Sequence, residues 1–372
     1  MRVIIERTPT PVPSEDPRYW IGFQLIPNIG PVRTRQLVEH LGSPENAWRA
    51  SESALRATGL SADLVSGIVH GRGGIDLNRE VDKLVTHGVQ AISVDDPDYP
   101  RLLKHIPAPP TVLYMKGSYE PLDDLAIGVV GTRRSTTYGA DMTRQIAGEL
   151  AGAAVTIVSG LARGIDTFAH DAALNAGGRT LAICGCGLDT IYPPQNRKLA
   201  ARIVEQGALI SEYPLGVPPD GPHFPARNRI ISGLSRGVLV VEAPRRSGAL
   251  ITTNFALDQG REVYAVPGSA LSKVSEGCHE LIRAGATLVT SAEHILEELD
   301  VPASQSAVQS RMVLPETDAE KILLAIIGAE PRHVNELSMD TGMPIHEANG
   351  TLLTMELKGL IRQSGAQHYV RA

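Results

Sequence analysis

Cysteine is scarce in this 372-residue chain: Cys184, Cys186 and Cys278 are too few, and wrongly spaced, for a disulfide framework or a four-ligand zinc site. A reducing cytoplasm is therefore the expected location. Cys184-x-Cys186 closes an apolar run and reads as core. Positive charge is short as well, with 35 Lys and Arg against 41 Asp and Glu and a formal net charge of −6. That excludes a protein coated in basic residues and requires any polyanion to meet a local cluster. Aromatic residues number nine Tyr, four Phe and two Trp, so a surface that grips nucleic acid chiefly by stacking bases is not expected. No run approaches the roughly eighteen apolar residues of a membrane span. The N-terminus lacks the basic-then-apolar layout of a signal peptide. Neither membrane contact, nor a metal, nor a cofactor is expected.

What is present is length for two or three domains and an ordinary globular composition, 42% hydrophobic and 20% charged. Residues 1–16 are proline-rich without apolar periodicity and read as a flexible arm. Over 17–88 apolar residues recur at helical spacing between Gly and Pro turns, as in Leu37, Val38, Leu41 and Leu64, Val65, Ile68. Residues 89–121 read as a connector of short extended runs broken by prolines. From 122 to 300 strand-like runs alternate with helical stretches: Ala126–Val130, Thr156–Val158, Thr180–Cys184, Ala208–Ile210, Val238–Val241, Glu262–Val266 and Thr287–Val289. This pattern predicts an α/β fold, an extended Rossmann-like parallel sheet with helices on both faces. A polar linker is expected over 301–315. Residues 316–372, three helical segments and a short hairpin, have a winged-helix outline.

In an open parallel sheet, ligands bind beyond the carboxyl ends of the strands. The loops there read Gly131-Thr132-Arg133-Arg134 after the first strand and Ser159-Gly160-Leu161-Ala162-Arg163-Gly164 after the second. Arg245-Arg246-Ser247-Gly248, with Thr252 beyond, follows the fifth, and Arg227-Asn228-Arg229 opens the helix before it. Small residues let backbone N–H groups approach an anion, and each guanidinium offers a fork of donors suited to phosphate. Donors from four loops favour an extended polyanion over one mononucleotide. Arg134 and Arg236 read equally as solvated or paired residues. Asp166 and Glu242 are expected to orient arginines, and His170 to be a local partner of Asp166. The dinucleotide fingerprint fails, since Gly131-Thr132-Arg133-Arg134 lacks G-x-G-x-x-G and Gly185-Cys186-Gly187 runs on to Thr190 where a third glycine is needed. No G-x-x-x-x-G-K-S/T loop occurs. The combined expectation is a narrow, phosphate-reading groove with few stacking platforms and no catalytic residues.

The series Gly128-Val129-Val130-Gly131-Thr132-Arg133, Ser159 to Asp166 with Ala169-His170, Gly187-Leu188-Asp189-Thr190-Ile191-Tyr192-Pro193, Phe224 to Ser235, Arg246 to Thr252 and Val266-Pro267-Gly268 resembles the bacterial DNA-processing protein A (DprA/Smf) family. The resemblance covers about 20–371. It implies a non-enzymatic binder of single-stranded DNA that loads RecA recombinase in natural transformation and homologous recombination. It also implies a homodimer formed through the Rossmann-like domain. The family's Gly-Ser-Arg falls on Gly131, Thr132 and Arg133, its second basic loop residue on Arg163, and its basic helix start on Arg227 and Arg229. His279 stands where the family usually has Asn. The rival reading is a nucleoside-monophosphate phosphoribohydrolase of a related fold, but its P-G-G-x-G-T-x-x-E loop breaks off here after Pro267-Gly268.

At the N-terminal side, Leu25 to Arg35 resembles a helix-hairpin-helix, which presents backbone N–H groups to phosphate. Asn28 stands at its usual first glycine. Gly30, Arg33 and Arg35 are possible secondary DNA contacts, and a SAM-like packing domain without DNA contact is the alternative. The helix expected at Ile345–Lys358 carries Glu347 and Glu356 against Lys358, too little positive charge for groove entry, so an accessory or protein-binding role is favoured over duplex reading.

Overall fold

The computed structural model describes residues 16–301, 317–328, 330–358 and 360–371. The expected arm and linker fall almost wholly on 1–15 and 302–316, outside the described residues. The chain divides into two compact units, Met1–Ala307 and Val308–Ala372.

The first unit is built on nine strands: β1 Gln90–Ser93, β2 Val112–Gly117, β3 Ala126–Val130, β4 Thr156–Ser159, β5 Thr180–Cys184, β6 Gly207–Ser211, β7 Gly237–Val240, β8 Glu262–Ala265 and β9 Thr287–Leu288. Their order is β1-β2-β6-β5-β4-β3-β7-β8-β9. From β6 to β9 every pairing is parallel, whereas β2 runs antiparallel to β6 and β1 to β2. Strands β3 and β5 are buried at every residue, which is why they read as continuous apolar runs rather than alternating ones. The stretch 89–121, expected as a connector, instead extends the sheet by two antiparallel strands. Its prolines lie between the strands rather than in them, so both ladders stay intact.

Two apolar layers sandwich the sheet. One joins Ile127, Val129, Ile157 and Leu239 to Ile146 and Leu150 of helix Thr137–Gly152. The other joins Val130, Val158, Ile183 and Val240 to Ile230 of helix His223–Gly233, and it continues into Trp20, Ile21 and Leu84 of the N-terminal helices. Those helices therefore share a core with the sheet, and Tyr114 on β2 donates its hydroxyl to Gln24 Oε1 at 2.7 Å. Asn28 takes the left-handed backbone its position demands, φ 64°, followed by helix Pro31–Leu41 with Gly30 as its N-cap.

The second unit contains helices Asp318–Ile326, Val334–Thr341 and Ile345–Leu357, and strands β10 Arg332–His333, β11 Ile361–Gln363 and β12 His368–Arg371 in the order β10-β12-β11. Leu323, Val334, Leu337, Leu352 and Ile361 form its core. Three helices with a small sheet give the winged-helix outline. Thr317 and Glu320 close a reciprocal capping box on its first helix.

Candidate nucleic-acid interface

Strand order reverses between β3 and β7: the chain winds one way from β3 to β6 and the other way from β7 to β9. Loops leaving neighbouring strands at such a point diverge and open a crevice at the carboxyl edge. A cleft of about 490 Å³ lies there. The β3 loop contributes Gly131, Thr132, Arg133 and Arg134. Opposite them are Arg246, Ser247, Gly248 and Thr252 from the β7 loop and its helix. Phe224, Arg227 and Asn228 form the wall supplied by helix His223–Gly233.

The backbone of these loops is held by buried carboxylates. Glu242, at the end of β7, accepts from Thr136 N at 2.9 Å and from Thr136 Oγ1 at 2.5 Å, and its main-chain oxygen accepts from Thr132 N at 2.7 Å. Thr136 is in turn the N-cap of helix Thr137–Gly152. Asp166 accepts from the N–H groups of Gly160 and Ala162 at 3.1 and 3.3 Å. Burial pushes its carboxyl above the ordinary range, and the nearby Arg227 together with those amides offsets part of the rise. The expectation that Asp166 and Glu242 orient arginines by direct contact is therefore corrected: both carboxylates hold loop amides, which need acceptors once buried.

Arg227 is corrected as well. It is 4% exposed and donates to the main-chain oxygens of Gly160, at 2.7 Å, and Ile183, with Nε on Asn228 Oδ1 at 3.0 Å. Its guanidinium pins the ends of β4 and β5 from within, and burial lowers its pKa. The glycines beneath the cleft serve the same packing. A Cβ on Gly160 would lie 2.1 Å from the Arg227 guanidinium, and one on Gly131 2.5 Å from Ile165. Gly164 has φ 75°, and a Cβ there would meet Thr132 O at 2.4 Å. Ser159 is buried with its hydroxyl on Val129 O. Ser159, Gly160 and Gly164 thus support the β3 and β4 loops rather than line the cleft.

Other arginines separate cleanly. Arg133, Arg134 and Arg246 are exposed and line the cleft, and no acidic partner meets them among the described residues. Arg133 lies over the Phe224 ring, 5.8 Å from its centroid. Arg163 is exposed on the adjoining β4 loop, also without a partner. Arg229 is turned away and half-buried against Glu212 at 2.5 Å, which corrects its assignment to the cleft. Arg245 is paired with Glu280 at 2.5 Å, and Arg236 donates to Asp124 O. In the N-terminal hairpin Arg33 folds back on Asn28 O at 2.6 Å, while Arg35 stands 4.0 Å from Glu39.

Smaller side chains complete the cleft. Thr132 Oγ1 accepts from Arg134 N, Asn228 Nδ2 reaches Gly248 O at 3.4 Å, and Ser247 Oγ accepts from Ala249 N. Thr252 is 1% exposed and its hydroxyl has no protein partner. His170 bonds Thr180 Oγ1 at 2.7 Å instead of Asp166, and burial pushes its pKa down to about 3. His279 Nε2 meets Gly268 O at 3.0 Å and so steadies the β8 loop. All three cysteines are buried, and burial raises the Cys184 thiol to about 12.

Aromatic groups overturn the expectation of few stacking platforms. Tyr192 is 44% exposed and its ring centroid lies 5.3 Å from that of Phe224, while Tyr213 stacks on His223 at 4.1 Å. A chain poor in rings gathers several at one edge of its sheet. The scattered positions 192, 213 and 224 hid this, because only the strand order brings those loops together.

Residues 90–300 match the family model for DNA recombination-mediator protein A, and 302–367 match that for the DprA winged helix domain. Protein Smf from Synechocystis is 36% identical over 96% of this chain and 99% of its own length. The structure of DNA processing protein A from Streptococcus pneumoniae aligns with a TM-score of 0.67 at 36% identity, covering 76% of this chain and 97% of that one. A structure concerned with the single-stranded DNA binding mode of DNA processing protein A from Helicobacter pylori aligns at 0.52 and 30% identity, covering 57% and 95%. With its doubly wound sheet, winged-helix unit and end-to-end similarity to these relatives, the chain belongs to the DNA-processing protein A (DprA/Smf) family.

Proposed function

We propose that this protein binds single-stranded DNA along the carboxyl edge of its sheet and hands the strand to RecA recombinase during natural transformation and homologous recombination. The observation that carries the reading is the group of three unpaired guanidiniums, Arg133, Arg134 and Arg246, facing one cleft at the point where strand order reverses. Elsewhere in the molecule many arginines are matched to carboxylates. Cations left unmatched at close range repel one another, and an anionic ligand relieves that repulsion.

Single strands are favoured over duplex by the rings beside the phosphate donors. A stacked base needs an exposed π-face, which Tyr192 and Phe224 offer and which paired bases in a helix withhold. Gly131, Thr132, Asn228, Ser247, Gly248 and Thr252 supply neutral donors around the arginines. Gly30, Arg33 and Arg35 form a secondary contact. The relative from Helicobacter pylori, described for its single-stranded DNA binding mode, supports the same substrate.

A homodimer through the Rossmann-like unit fits the β9 end of the sheet. There Leu257 and Leu288 are exposed beside a two-residue edge strand. Gel-shift competition of single against double strands at two salt concentrations tests the ligand, and sedimentation of the Leu257→Arg/Leu288→Arg variant tests the dimer. A strand-exchange assay in which RecA must displace a single-strand-binding protein tests the loading step. Equal affinity for both DNA forms contradicts the ligand assignment, an unchanged sedimentation coefficient the dimer, and no stimulation of RecA the mediator role.

A further inference from the structure

Two exposed cations outside the cleft, Arg197 and Lys198, open helix Arg197–Glu205, which follows the carboxyl end of β5. Neither meets an acid among the described residues. Further along the same helix Arg202 is paired with Asp171 at 2.5 Å. The acid on the β5 loop, Asp189, is engaged with Gly216 N at 3.0 Å.

The loop bearing these cations is fixed to its neighbours. Asn196, immediately before Arg197, is buried and donates through Nδ2 to Leu161 O at 2.9 Å and Thr167 Oγ1 at 3.0 Å. Both acceptors flank Arg163 on the β4 loop. On the other side Tyr192 leans on Phe224, the cleft wall over which Arg133 lies. Arg133, Arg163 and Arg197 with Lys198 therefore leave the successive neighbours β3, β4 and β5.

We infer that the β5 loop is a second phosphate station: a single strand held in the cleft continues across β4, past Arg163, and places further phosphates on Arg197 and Lys198. From β7 to β5 is three strand spacings, roughly 14 Å, a distance that an extended strand spans with more than one phosphate. Tyr192 stands along this course, so a base leaving the cleft meets a ring before its phosphate meets the second station. The inference rests on the reading of the cleft as a single-strand site.

The test is the salt dependence of binding to a fluorescent oligothymidylate of about twenty nucleotides, a length that covers both stations. For single strands the slope of log affinity against log salt changes by about 0.7 per phosphate contact. The Arg197→Ala/Lys198→Ala variant is expected to lose about 1.4 from the slope and at least tenfold in affinity at low salt. Arg202→Ala, a change on the same helix at a paired residue, should leave the slope as in the wild type. An unchanged slope in the double variant while Arg133→Ala still loses affinity overturns the second station alone. Unchanged binding in both overturns the station and the cleft together. An equal loss of slope in Arg202→Ala assigns the effect to net charge and also overturns it.

Discussion

Arg227 Nη1 donates to the main-chain oxygen of Gly160 across 2.7 Å, joining the helix before β7 to the end of β4. Removing that guanidinium leaves the carbonyls of Gly160 and Ile183 without their donor in a buried site. Arg227→Ala is therefore expected to destabilise the fold by about 2–4 kcal/mol, as when a buried charged donor is deleted. Arg133→Ala, at an exposed position, should leave urea unfolding within about 0.5 kcal/mol of wild type and weaken DNA binding. If Arg227→Ala unfolds like the wild type, the internal-brace account is wrong.

Gly164 sits at φ 75° with Thr132 O where a Cβ would project. Gly164→Ala combines backbone strain with a clash between the β3 and β4 loops, and a loss of about 1–3 kcal/mol is expected. Because the clash displaces the Thr132–Arg133 backbone, DNA affinity should fall as well. Thermal unfolding and anisotropy titration of the one variant check both effects.

His170 ties stability to pH. Its folded-state pKa, about 3, lies below the ordinary 6.5, so between these values the unfolded chain binds the extra proton and stability rises with pH. The contribution is complete above 6.5 and is lost as pH falls toward 3. The raised carboxyls of Asp166 and Glu212 act in the opposite direction near the acidic end, which makes pH 7.5 to 5.5 the cleaner window. Over it wild type should lose about 1 kcal/mol more than His170→Asn, which keeps a polar group for Thr180 without titrating. Equal losses in urea titrations at the two pH values would falsify the assignment to His170.

Hydrolysis of a nucleoside monophosphate demands a carboxylate free to act on the sugar. Asp166 and Glu242 are both engaged by loop N–H groups, and Glu242 by the Thr136 hydroxyl too. Incubation of the pure protein with AMP is expected to release no free base above the buffer control. Release at an enzyme-like rate would overturn the non-enzymatic reading.

Much of the sheet was legible because burial on both faces leaves continuous apolar runs, and the seven parallel strands lie within a residue or two of the expected ones. The two antiparallel strands were not, since Gln90–Ser93 is short and Val112–Gly117 is preceded by prolines that resemble a linker. At the site, residue type named the loops but not the direction of each side chain. Arg227 and Arg133 carry the same group on equally recognisable motifs, yet one is swallowed by the ends of β4 and β5 while the other faces the cleft. What separates them is the absence of a Cβ at Gly160, which opens room for one guanidinium. The ring cluster was hidden for a related reason: Tyr192 and Phe224 are 32 positions apart and meet only because the β5 loop and the helix before β7 share one edge.

The central claim is that unpaired arginines at this edge hold a single strand through its phosphates. The most direct measurement is the affinity for labelled oligothymidylate over a series of salt concentrations, for wild type, Arg133→Ala and Arg163→Ala. Steep salt dependence in the wild type is predicted, with each substitution weakening binding and reducing the slope by about 0.7 while leaving thermal stability unchanged. Wild-type affinity and slope in both variants would contradict the account.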